Sequence, residues 1–422
     1  MDKLRLAIVG CGGMGHRHLY GLAELHRAGL SRFELVGACD PVQDNAESLA
    51  QQASDLLGVR PTVVSNMAGL EALDVQAVDI TTTPRYHHAL GVEALERGWH
   101  AMIEKPVGLT VRAANVIQAA AAKTNRIVSV AENYRRDPIN RLGKALLDAG
   151  AIGAPRFMIH NTAGGGNQMM ISVWRHMKDQ SGVLLDVGVH FADIMEYYMG
   201  PISSVYAQTR LHEPIRHNPA GAGETPQSSP AGVYAKWQKQ MPADFEVTAE
   251  DAVYATINFA SGATGQYLED HAAYGQGIWT RQIYGAAGSM NLPNDRTGKL
   301  ITLAQAGKDP ISDERLLDLV PDFRLNRATA ALFGGDRLWR YDFPFEETDR
   351  KLIAVEYDDL AGAILGEHPI DVSLEQGTRS VAVSYAMLES GVNGRPVTID
   401  EMLNENVTAY QDEIDQGMGL IA

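Results

Sequence analysis

Three ionisable residues in the first half of the chain could together move a proton at a hydroxyl group. Lys105 lies in the run Glu104-Lys105-Pro106, and Asp186 and His190 lie in Asp186-Val187-Gly188-Val189-His190. Histidine titrates near neutrality and suits a general acid or base, whereas a lysine can stabilise a developing alkoxide. We expect His190 as the general acid/base, Lys105 as the alkoxide stabiliser, and Asp186 as a substrate ligand that also polarises His190.

The oxidation of a hydroxyl group also needs a hydride acceptor, and a glycine-rich run near the N-terminus predicts where one binds. The run Gly10-Cys11-Gly12-Gly13-Met14-Gly15 fits G-x-G-x-x-G, follows a strand pattern and opens a helix pattern. Glycines in this motif permit a tight turn, approach of the backbone to a pyrophosphate, and close helix packing. Backbone N–H groups at the helix N-terminus then hold the phosphates. The predicted dinucleotide contacts are Gly10, Gly12, Gly13, Met14 and Gly15.

A carboxylate at the end of the second predicted strand indicates which dinucleotide binds. Asp40 can accept hydrogen bonds from the adenosine ribose hydroxyls and would repel a 2′-phosphate, and Pro41 and Val42 supply no arginine to bind one. The sequence therefore favours NAD over NADP. Further residues predicted to line the cofactor are Thr82, Thr83, Pro84, His87, Glu104, Lys105 and Asn133.

Residues around the second half of the predicted site are candidates for substrate contact. Tyr134 and Arg135 follow the last parallel strand, whereas Trp174 and Arg175 precede the helix of Asp186 and could close over the cofactor or a sugar. For each of these four residues, a packing or salt-bridge role is an equal alternative. The predicted substrate contacts are Lys105, Tyr134, Arg135, Trp174, Arg175, Asp186 and His190.

Neither a metal site nor a catalytic thiol is expected. His212, Glu213 and His217 superficially suggest a zincin, but the spacing of the histidines is wrong and Pro214 would break the helix that the motif requires. The two cysteines form no Cys-x-x-Cys pair and are read as small buried hydrophobes in a reducing compartment.

The elements that position these residues alternate between strand and helix up to about residue 132. Such alternation indicates βαβ units in a parallel sheet, whose ligands bind at the strand ends. The predicted strands are Leu4 to Val9, Glu34 to Cys39, Val78 to Thr81, His100 to Ile103 and Ile127 to Ala131. The predicted helices are His16 to Ala28, Asn45 to Leu57, His87 to Arg97 and Val111 to Thr124.

Residues 133–422 form a second predicted domain with a different pattern. After a helix at Pro138 to Ala149 come several strand-like segments separated by glycine-containing turns, which suggests a mainly antiparallel sheet. A helix from Val183 to Met199, which would place Asp186 and His190 on one face, and another from Leu352 to Ile364 should cover one side of the sheet. The proline-rich excursion from His212 to Asp244 suggests a lid or an oligomer arm.

The bulk composition excludes several other classes of function. The chain has 422 residues, 45% hydrophobic and 21% charged, and a formal net charge of −16, which argues against nucleic-acid binding. No window is apolar enough for a membrane helix, and the N-terminus leads into a strand pattern instead of a signal peptide. We expect a cytoplasmic protein that acts on a small molecule.

The chain resembles the glucose-fructose oxidoreductase / inositol 2-dehydrogenase / MocA family. The resemblance implies an N-terminal Rossmann domain and a C-terminal α/β domain whose large, mainly antiparallel open sheet forms a homodimer or homotetramer interface. It also implies hydride exchange between NAD and a sugar, cyclitol or related polyol, with Lys105, Asp186 and His190 in the roles given above. The matching segments are Ala7 to Gly15, Thr83-Pro84 with His87, Glu104-Lys105-Pro106, Asn133-Tyr134-Arg135, Ile152-Gly153, and Asp186 to His190.

Two stretches are longer than is typical of this family, from His212 to Asp244 and around Lys308 to Asp349, and they leave open a substrate larger than a free monosaccharide. Two other functions also stay open. A glycosidase of the same family would use NAD for transient oxidation and elimination of an aglycone, with the same three residues. A non-catalytic NAD-binding sensor is a different class, and the presence of all three residues argues against it.

Overall fold

The computed structural model describes residues 3–224 and 233–422. Its N-terminal part is a parallel sheet of six strands in the order β3-β2-β1-β4-β5-β6. The strands are β1 (Leu4–Val9), β2 (Phe33–Cys39), β3 (Thr62–Val64), β4 (Ala77–Ile80), β5 (His100–Glu104) and β6 (Val128–Ala131). The main helices between them are α1 (Gly13–Arg27), α2 (Gln43–Leu57), α3 (His87–Glu96) and α4 (Val111–Thr124).

The glycine-rich run lies at the point where the strand order of the sheet reverses. Strand β1 lies between β2 and β4, so the loops after β1 and β4 diverge and leave a crevice at their carboxyl ends. The apolar residues of these strands are almost fully buried between helices on both faces, as expected for a parallel sheet. The predicted parallel sheet is therefore confirmed, with the short strand β3 as an element that the sequence pattern did not reveal.

The described residues that follow include a sheet of eight strands in the order β15-β14-β13-β7-β12-β11-β8-β16. Among the described strands of this sheet, only β7 and β12 pair in parallel, which confirms a mainly antiparallel sheet. Its strands are β7 (Pro155–Gly165), β8 (Ile202–Arg210), β11 (Ala252–Phe259), β12 (Thr264–Ala273), β13 (Ile278–Gly285), β14 (Gly288–Leu292), β15 (Thr302–Gln305) and β16 (Val397–Thr398), while β9 (Ile215–His217) pairs with β10 (Asp244–Glu246). The helices are α5 (Pro138–Asp148), α6 (Val183–Asp186), α7 (Gly188–Met199), α8 (Ala235–Gln238), α9 (Arg327–Phe333), α10 (Phe345–Ile364), α11 (Leu374–Asn393), α12 (Ile399–Leu403) and α13 (Asp412–Gly417).

The large sheet has one buried face and one open face. Along β11, Val253, Ala255 and Ile257 are buried, whereas Tyr254 and Thr256 between them are exposed. Helix α11 packs against β8 and α7 on the buried side. The alternation follows from the two-residue period of a strand whose one side lies on helices.

Helices from the C-terminal part also brace the parallel sheet. Helix α10 packs along α1 so closely that a Cβ atom on Gly21 would lie 2.4 Å from Ile353 Cγ2. Helix α11 approaches β6 in the same way, because a Cβ on Gly377 would lie 2.6 Å from Val130 Cγ2. The last strand of the parallel sheet, β6, ends at Ala131. The division of the chain into domains 1–132 and 133–422 stays a prediction.

One predicted element is different in the structure. The single helix expected from Val183 to Met199 is divided at Val187 into α6 and α7. None of the described helices is long and apolar enough to cross a membrane.

Candidate active site

The glycine-rich run forms a tight loop between β1 and α1. Gly10 has φ +99°, a conformation that strongly favours glycine, and a Cβ on Gly15 would lie 2.2 Å from the carbonyl oxygen of Gly10. A Cβ on Gly12 would meet no described atom within 4 Å. Gly10 and Gly15 therefore close the loop, while the backbone at Gly12 is open to a neighbouring cavity.

This cavity has a volume of about 490 Å³ and runs along the carboxyl ends of the parallel strands. Its size, the open backbone at Gly12 and the N-terminus of α1 fit an extended dinucleotide with its pyrophosphate on the loop. Of the predicted cofactor contacts, those that line it are Gly10, Gly12, Gly13, Met14, Asp40, Thr82, Thr83, Pro84, Glu104 and Lys105.

Asp40 lies at the edge of this cavity and also holds the loops around it. Its Oδ2 accepts the N–H of Cys11 at 2.7 Å, and its Oδ1 accepts the N–H of Val42 at 2.8 Å. The carboxylate is thereby fixed with acceptor capacity left for ribose hydroxyls. Cys11 and Cys39 nearby are free and buried, and burial raises the pKa of the Cys39 thiol to about 12.

His87 occupies a different place from the other predicted cofactor contacts. Its ring is fully buried, with Nδ1 2.8 Å from the carbonyl oxygen of Pro106 and Nε2 3.1 Å from that of Thr82. The histidine therefore joins the loop after β4 to the loop after β5. His87 does not line the cavity, but it holds Thr82, which does.

The long excursion reaches the cofactor cavity. Tyr234 and Trp237 line it, and the Tyr234 ring lies so near Gly13 that a Cβ there would be 2.4 Å from a ring carbon. Trp237 also contacts the ring of His16 on α1, at 5.8 Å between centroids. The excursion expected to be a lid or an oligomer arm thus covers the dinucleotide loop, although residues 225–232 of it lie outside the described part.

Lys105 and Asp186 are joined by two hydrogen bonds. Lys105 Nζ donates to the Asp186 carbonyl oxygen at 2.7 Å and to Asp186 Oδ1 at 3.0 Å. In a continuous helix that carbonyl would accept the N–H of His190, which instead bonds to the Val187 carbonyl at 3.0 Å. The lysine therefore takes over a helical acceptor, and this explains why the predicted helix is divided into α6 and α7.

Arg175 holds the second oxygen of the same carboxylate. Its Nε donates to Asp186 Oδ2 at 2.9 Å, while its guanidinium lies 4.2 Å above the ring of Trp174. Burial alone would raise the pKa of Asp186, but the positive charges of Lys105 and Arg175 outweigh burial and hold that pKa below its ordinary range. Asp186 is therefore an anion that fixes two cations.

His190 is paired with Glu132 and not with Asp186, which corrects the expectation that Asp186 orients it. The distance from His190 Nδ1 to Glu132 Oε2 is 2.6 Å. The other oxygen of Glu132 accepts the N–H of Tyr134 at 2.8 Å, and the Tyr134 ring stacks on the imidazole at 4.2 Å between centroids. The position and tilt of the imidazole are thus set by a hydrogen bond and by a ring face.

Burial acts on both partners of this pair. It lowers the pKa of His190 well below its ordinary value, and the positive charges of Lys105 and Arg296 lower it further. Burial raises the pKa of Glu132 to about 7 despite the opposing Tyr134 N–H group. At neutral pH the imidazole is therefore neutral.

A buried chain of hydrogen bonds supports Glu104 from the other side. Glu104 Oε1 lies 2.9 Å from His18 Nε2, and His18 Nδ1 lies 2.9 Å from Asp79 Oδ2, which also accepts the hydroxyl of Tyr357. Although burial opposes ionisation, the hydrogen bond and charge of His18 and the charge of Lys105 lower the pKa of Glu104 to about 2. Glu104 Oε2 accepts the backbone N–H of Lys105 at 2.9 Å and so fixes the start of that loop. The Lys105–Pro106 peptide bond is cis.

A second cavity of about 130 Å³ adjoins the first. Lys105, Asp186 and Arg175 line both cavities, while Asn133 and His190 line only this one. The buried Oδ1 of Asn133 has no hydrogen-bond partner among the described residues. The structure therefore brings the proposed proton-transfer groups to one small space beside the cofactor cleft.

Arg135 lies elsewhere, in contrast to its expected contact with substrate. Its Nε donates to Asp193 Oδ2 at 2.7 Å, a second nitrogen bonds to the other oxygen, and the side chain is 93% buried. Tyr134, the neighbour predicted with it, does line the second cavity. Of the two roles considered for Arg135, substrate contact and a salt bridge, the structure shows the salt bridge, with Asp193.

Several residues of the site were missed from the sequence. Glu132 directly follows β6, so the rule that pointed to Lys105 after β5 could have found it. Arg296, Tyr234 and Trp237 carry no comparable local signal, because they reach the cavities from the loop after β14 and from the short helix α8, far along the chain. In the described part of the protein, no cluster of three or more His, Cys, Asp or Glu side chains has an arrangement that could hold a metal ion.

An open dinucleotide cleft beside a lysine and a neutral histidine defines a nicotinamide-dependent oxidoreductase. Residues 4–132 match the family model described as oxidoreductase family, NAD-binding Rossmann fold, and residues 144–399 match the C-terminal alpha/beta domain of the same family. The protein belongs to this Gfo/Idh/MocA family of oxidoreductases, and its N-terminal part is an NAD-binding Rossmann domain.

Relatives with similar sequences include several dehydrogenases. Levoglucosan dehydrogenase of Pseudarthrobacter phenanthrenivorans is 27% identical over 311 residues, which are 71% of this chain and 76% of the relative. The scyllo-inositol 2-dehydrogenase (NAD(+)) of Bacillus subtilis is 25% identical and covers 94% of this chain and 97% of its own. A solved levoglucosan dehydrogenase in complex with NADH has the same fold, with a TM-score of 0.73, 22% identity, and coverage of 94% of this chain and 99% of that one.

Proposed function

We propose that this protein is an NAD-dependent dehydrogenase that oxidises a secondary hydroxyl group of a sugar, cyclitol or related polyol. The observation that carries the proposal is the shared wall of the two cavities. Lys105, Asp186 and Arg175 line both, so a hydroxyl held in the smaller cavity lies beside the larger one that fits the dinucleotide. The relatives named for levoglucosan and scyllo-inositol support the choice of a polyhydroxylated substrate.

Each group of the smaller cavity has a definite task in this reaction. Bound NAD supplies the hydride acceptor. Lys105, held by both contacts to Asp186, donates a hydrogen bond to the substrate hydroxyl oxygen and stabilises the negative charge that develops there. His190 gives its Nδ1–H to Glu132, so that its Nε2 is free to accept the hydroxyl proton. The Glu132 carboxylate then stabilises the imidazolium that forms.

The groups around the cofactor cavity support binding of NAD in preference to NADP. Asp40, fixed by the N–H groups of Cys11 and Val42, would accept the ribose hydroxyls and repel a 2′-phosphate. The Tyr234 and Trp237 side chains would cover the bound dinucleotide and exclude water from it.

A substrate screen tests the proposal directly. Free sugars, inositols, sugar acids and glycosides are incubated with the protein and NAD, and formation of reduced cofactor is followed by its absorbance. We expect turnover of at least one polyol, with loss of turnover in Lys105→Met. The absence of turnover with every compound, together with no binding of NAD by calorimetry, would refute the proposal. Release of an aglycone without net reduced cofactor would instead indicate the glycosidase.

We also propose that the protein assembles as a homodimer or homotetramer in the cytoplasm. The open face of the large sheet carries exposed aromatic residues, namely Phe157, Tyr206 and Tyr254. A second copy of the chain could cover them. The two buried free thiols suit a reducing compartment. The molar mass in solution, measured by light scattering, tests the assembly, and a monomer at micromolar concentration would contradict it.

A further inference from the structure

Arg296 enters the smaller cavity from a loop that holds it in a strained conformation. It follows β14 and has a backbone φ of +61°, which residues other than glycine rarely adopt. Its backbone N–H donates to Asp137 Oδ2 at 2.8 Å, and the preceding Asp295 is held by both terminal nitrogens of Arg281. Strain of this kind persists where the surroundings enforce it, and it is concentrated at binding and active sites.

The guanidinium of Arg296 is positioned mainly by ring faces. It lies 5.0 Å from the centre of the Tyr134 ring and 4.8 Å from that of Phe345. Its Nη1 reaches Asp349 at 3.1 Å, and its Nη2 is 3.4 Å from the Tyr134 hydroxyl. The buried Nε has no hydrogen-bond partner among the residues that the structure describes. The group is thus pre-oriented, and part of its hydrogen-bonding capacity is unused.

Asp349 is already neutralised by another arginine. Arg17 binds both of its oxygens, with 2.5 Å between Arg17 Nε and Asp349 Oδ2. Arg17 and Arg296 therefore share a single negative charge. On the other wall of the cavity, Lys105 and Arg175 both pair with Asp186, and the Glu104 carboxylate accepts the backbone N–H of Lys105.

Among the described residues, four positive side chains line the cavity, Arg17, Lys105, Arg175 and Arg296, and they face the three carboxylates of Glu104, Asp186 and Asp349. One positive charge is therefore left over. Lys105 faces the reacting hydroxyl in the proposed reaction, and Asp186 balances its charge, so the surplus lies with Arg17 and Arg296, which share Asp349. Arg296 comes from a separate loop and contacts the ring of Tyr134, which in turn stacks on His190. Its charge is therefore available for a second, permanent negative group on the substrate.

We propose that the substrate carries a carboxylate, as a uronic or aldonic sugar acid does, and that Arg296 binds this group. The proposal rests on the proposed function and specifies its substrate class. A planar guanidinium edge with one free Nε–H matches a carboxylate, and a charge-assisted pair discriminates strongly against a neutral analogue. A phosphate ester, with two charges and more acceptor oxygens, would require further donors.

The experiment compares matched ligands by calorimetry on the protein saturated with NADH, and by turnover with NAD. The panel contains hexuronates and aldonates, the aldoses and alditols that lack only the carboxylate, and the corresponding sugar phosphates. We expect the preferred acid to bind about 100-fold more tightly than its neutral counterpart, as expected for one charged hydrogen-bonded pair. Arg296→Gln should remove that preference, so that the acid and its neutral counterpart bind with similar affinity, whereas Arg296→Lys should retain part of it.

Arg315→Gln is the matched control, because Arg315 is an exposed arginine paired with Asp313 on the surface. Its affinities should equal those of the unmodified protein. Thermal unfolding and NADH affinity of each variant show whether the fold and cofactor cleft are intact. Equal binding of acids and neutral sugars, tighter binding of phosphates, or an unchanged preference in Arg296→Gln would overturn the carboxylate proposal. Turnover of neutral sugars in that case would leave the dehydrogenase function intact, so the two failures are distinguishable.

Discussion

Glu132 Oε2 lies 2.6 Å from His190 Nδ1, and this contact joins the end of strand β6 to helix α7. The carboxylate is itself fixed, because its second oxygen accepts the N–H of Tyr134. Only one imidazole nitrogen is therefore left for a ligand in the cavity. The arrangement gives Glu132 the means to select the tautomer of His190 and to stabilise its protonated form.

Glu132→Gln tests that role through the pH profile. Oxidation needs the pair without its extra proton, so kcat/KM of the unmodified protein should fall as the pH falls below about 7, the value to which burial raises the pKa of Glu132. Loss of the carboxylate removes the charge that stabilises imidazolium, so we expect the acidic limb to move to lower pH. The rate should fall about 100-fold, the scale of general acid–base catalysis. A lower rate with an unmoved acidic limb would show that Glu132 acts through structure alone. Glu413→Gln, at an exposed residue, is the control and should leave both the rate and the pH profile unchanged.

Lys105→Met should abolish the stabilisation of the alkoxide without removing the cofactor cleft. We expect kcat to fall by about 100- to 1,000-fold, the loss typical of one oxyanion-stabilising donor. NAD affinity, measured by calorimetry, should change little because the glycine loop and Asp40 are untouched. Lys105→Arg should be more active than the methionine variant, and Lys123→Met, on the exposed side of α4, should behave as the unmodified protein. Full activity of Lys105→Met would exclude the lysine from the chemistry.

His18 provides a stability test with a definite pH dependence. Although burial opposes protonation, Asp79 and Glu104 raise the pKa of His18 well above its ordinary value of 6.5. Its contribution to stability is therefore complete below pH 6.5 and is lost as the pH rises through the raised value. His18→Gln removes the positive charge between the buried carboxylates of Asp79 and Glu104 and should cost about 3 kcal/mol in the free energy of unfolding. The difference between the two proteins should be largest at pH 6 and smaller at pH 9, as measured by denaturant unfolding; the reverse trend would contradict the assignment.

Asp40→Asn should weaken the discrimination between the two dinucleotides. The amide keeps one oxygen for the Cys11 or Val42 N–H group but no longer repels a 2′-phosphate. We expect kcat/KM for NAD to fall about 10-fold, corresponding to about 1.4 kcal/mol, and the ratio of NADP to NAD efficiency to rise. Asp55→Asn, on the exposed side of α2, is the control. An unchanged ratio would mean that other groups select the cofactor.

Much of the fold could be predicted because its signals are local. Short β-branched runs separated by helical patterns indicate parallel strands, and the structure has all five of those predicted, with β3 in addition. Residues at the strand ends, such as Lys105, could also be placed, since parallel strands end at one edge. The Val183 to Met199 helix was predicted as continuous because nothing local shows that Lys105, far away in sequence, takes the Asp186 carbonyl.

The sequence by itself determined the Rossmann domain and its cofactor loop, because the spacing of Gly10, Gly12 and Gly15 meets backbone requirements that are set within a few residues. The tertiary structure decided which charges meet in the smaller cavity. His190 is paired with Glu132, and Arg296 arrives from the loop after β14, because helix α7 and that loop meet the residues that follow the parallel strands. Hydrogen bonds and ion pairs act over a few ångströms in space, and spacing along the chain does not specify such contacts between distant segments.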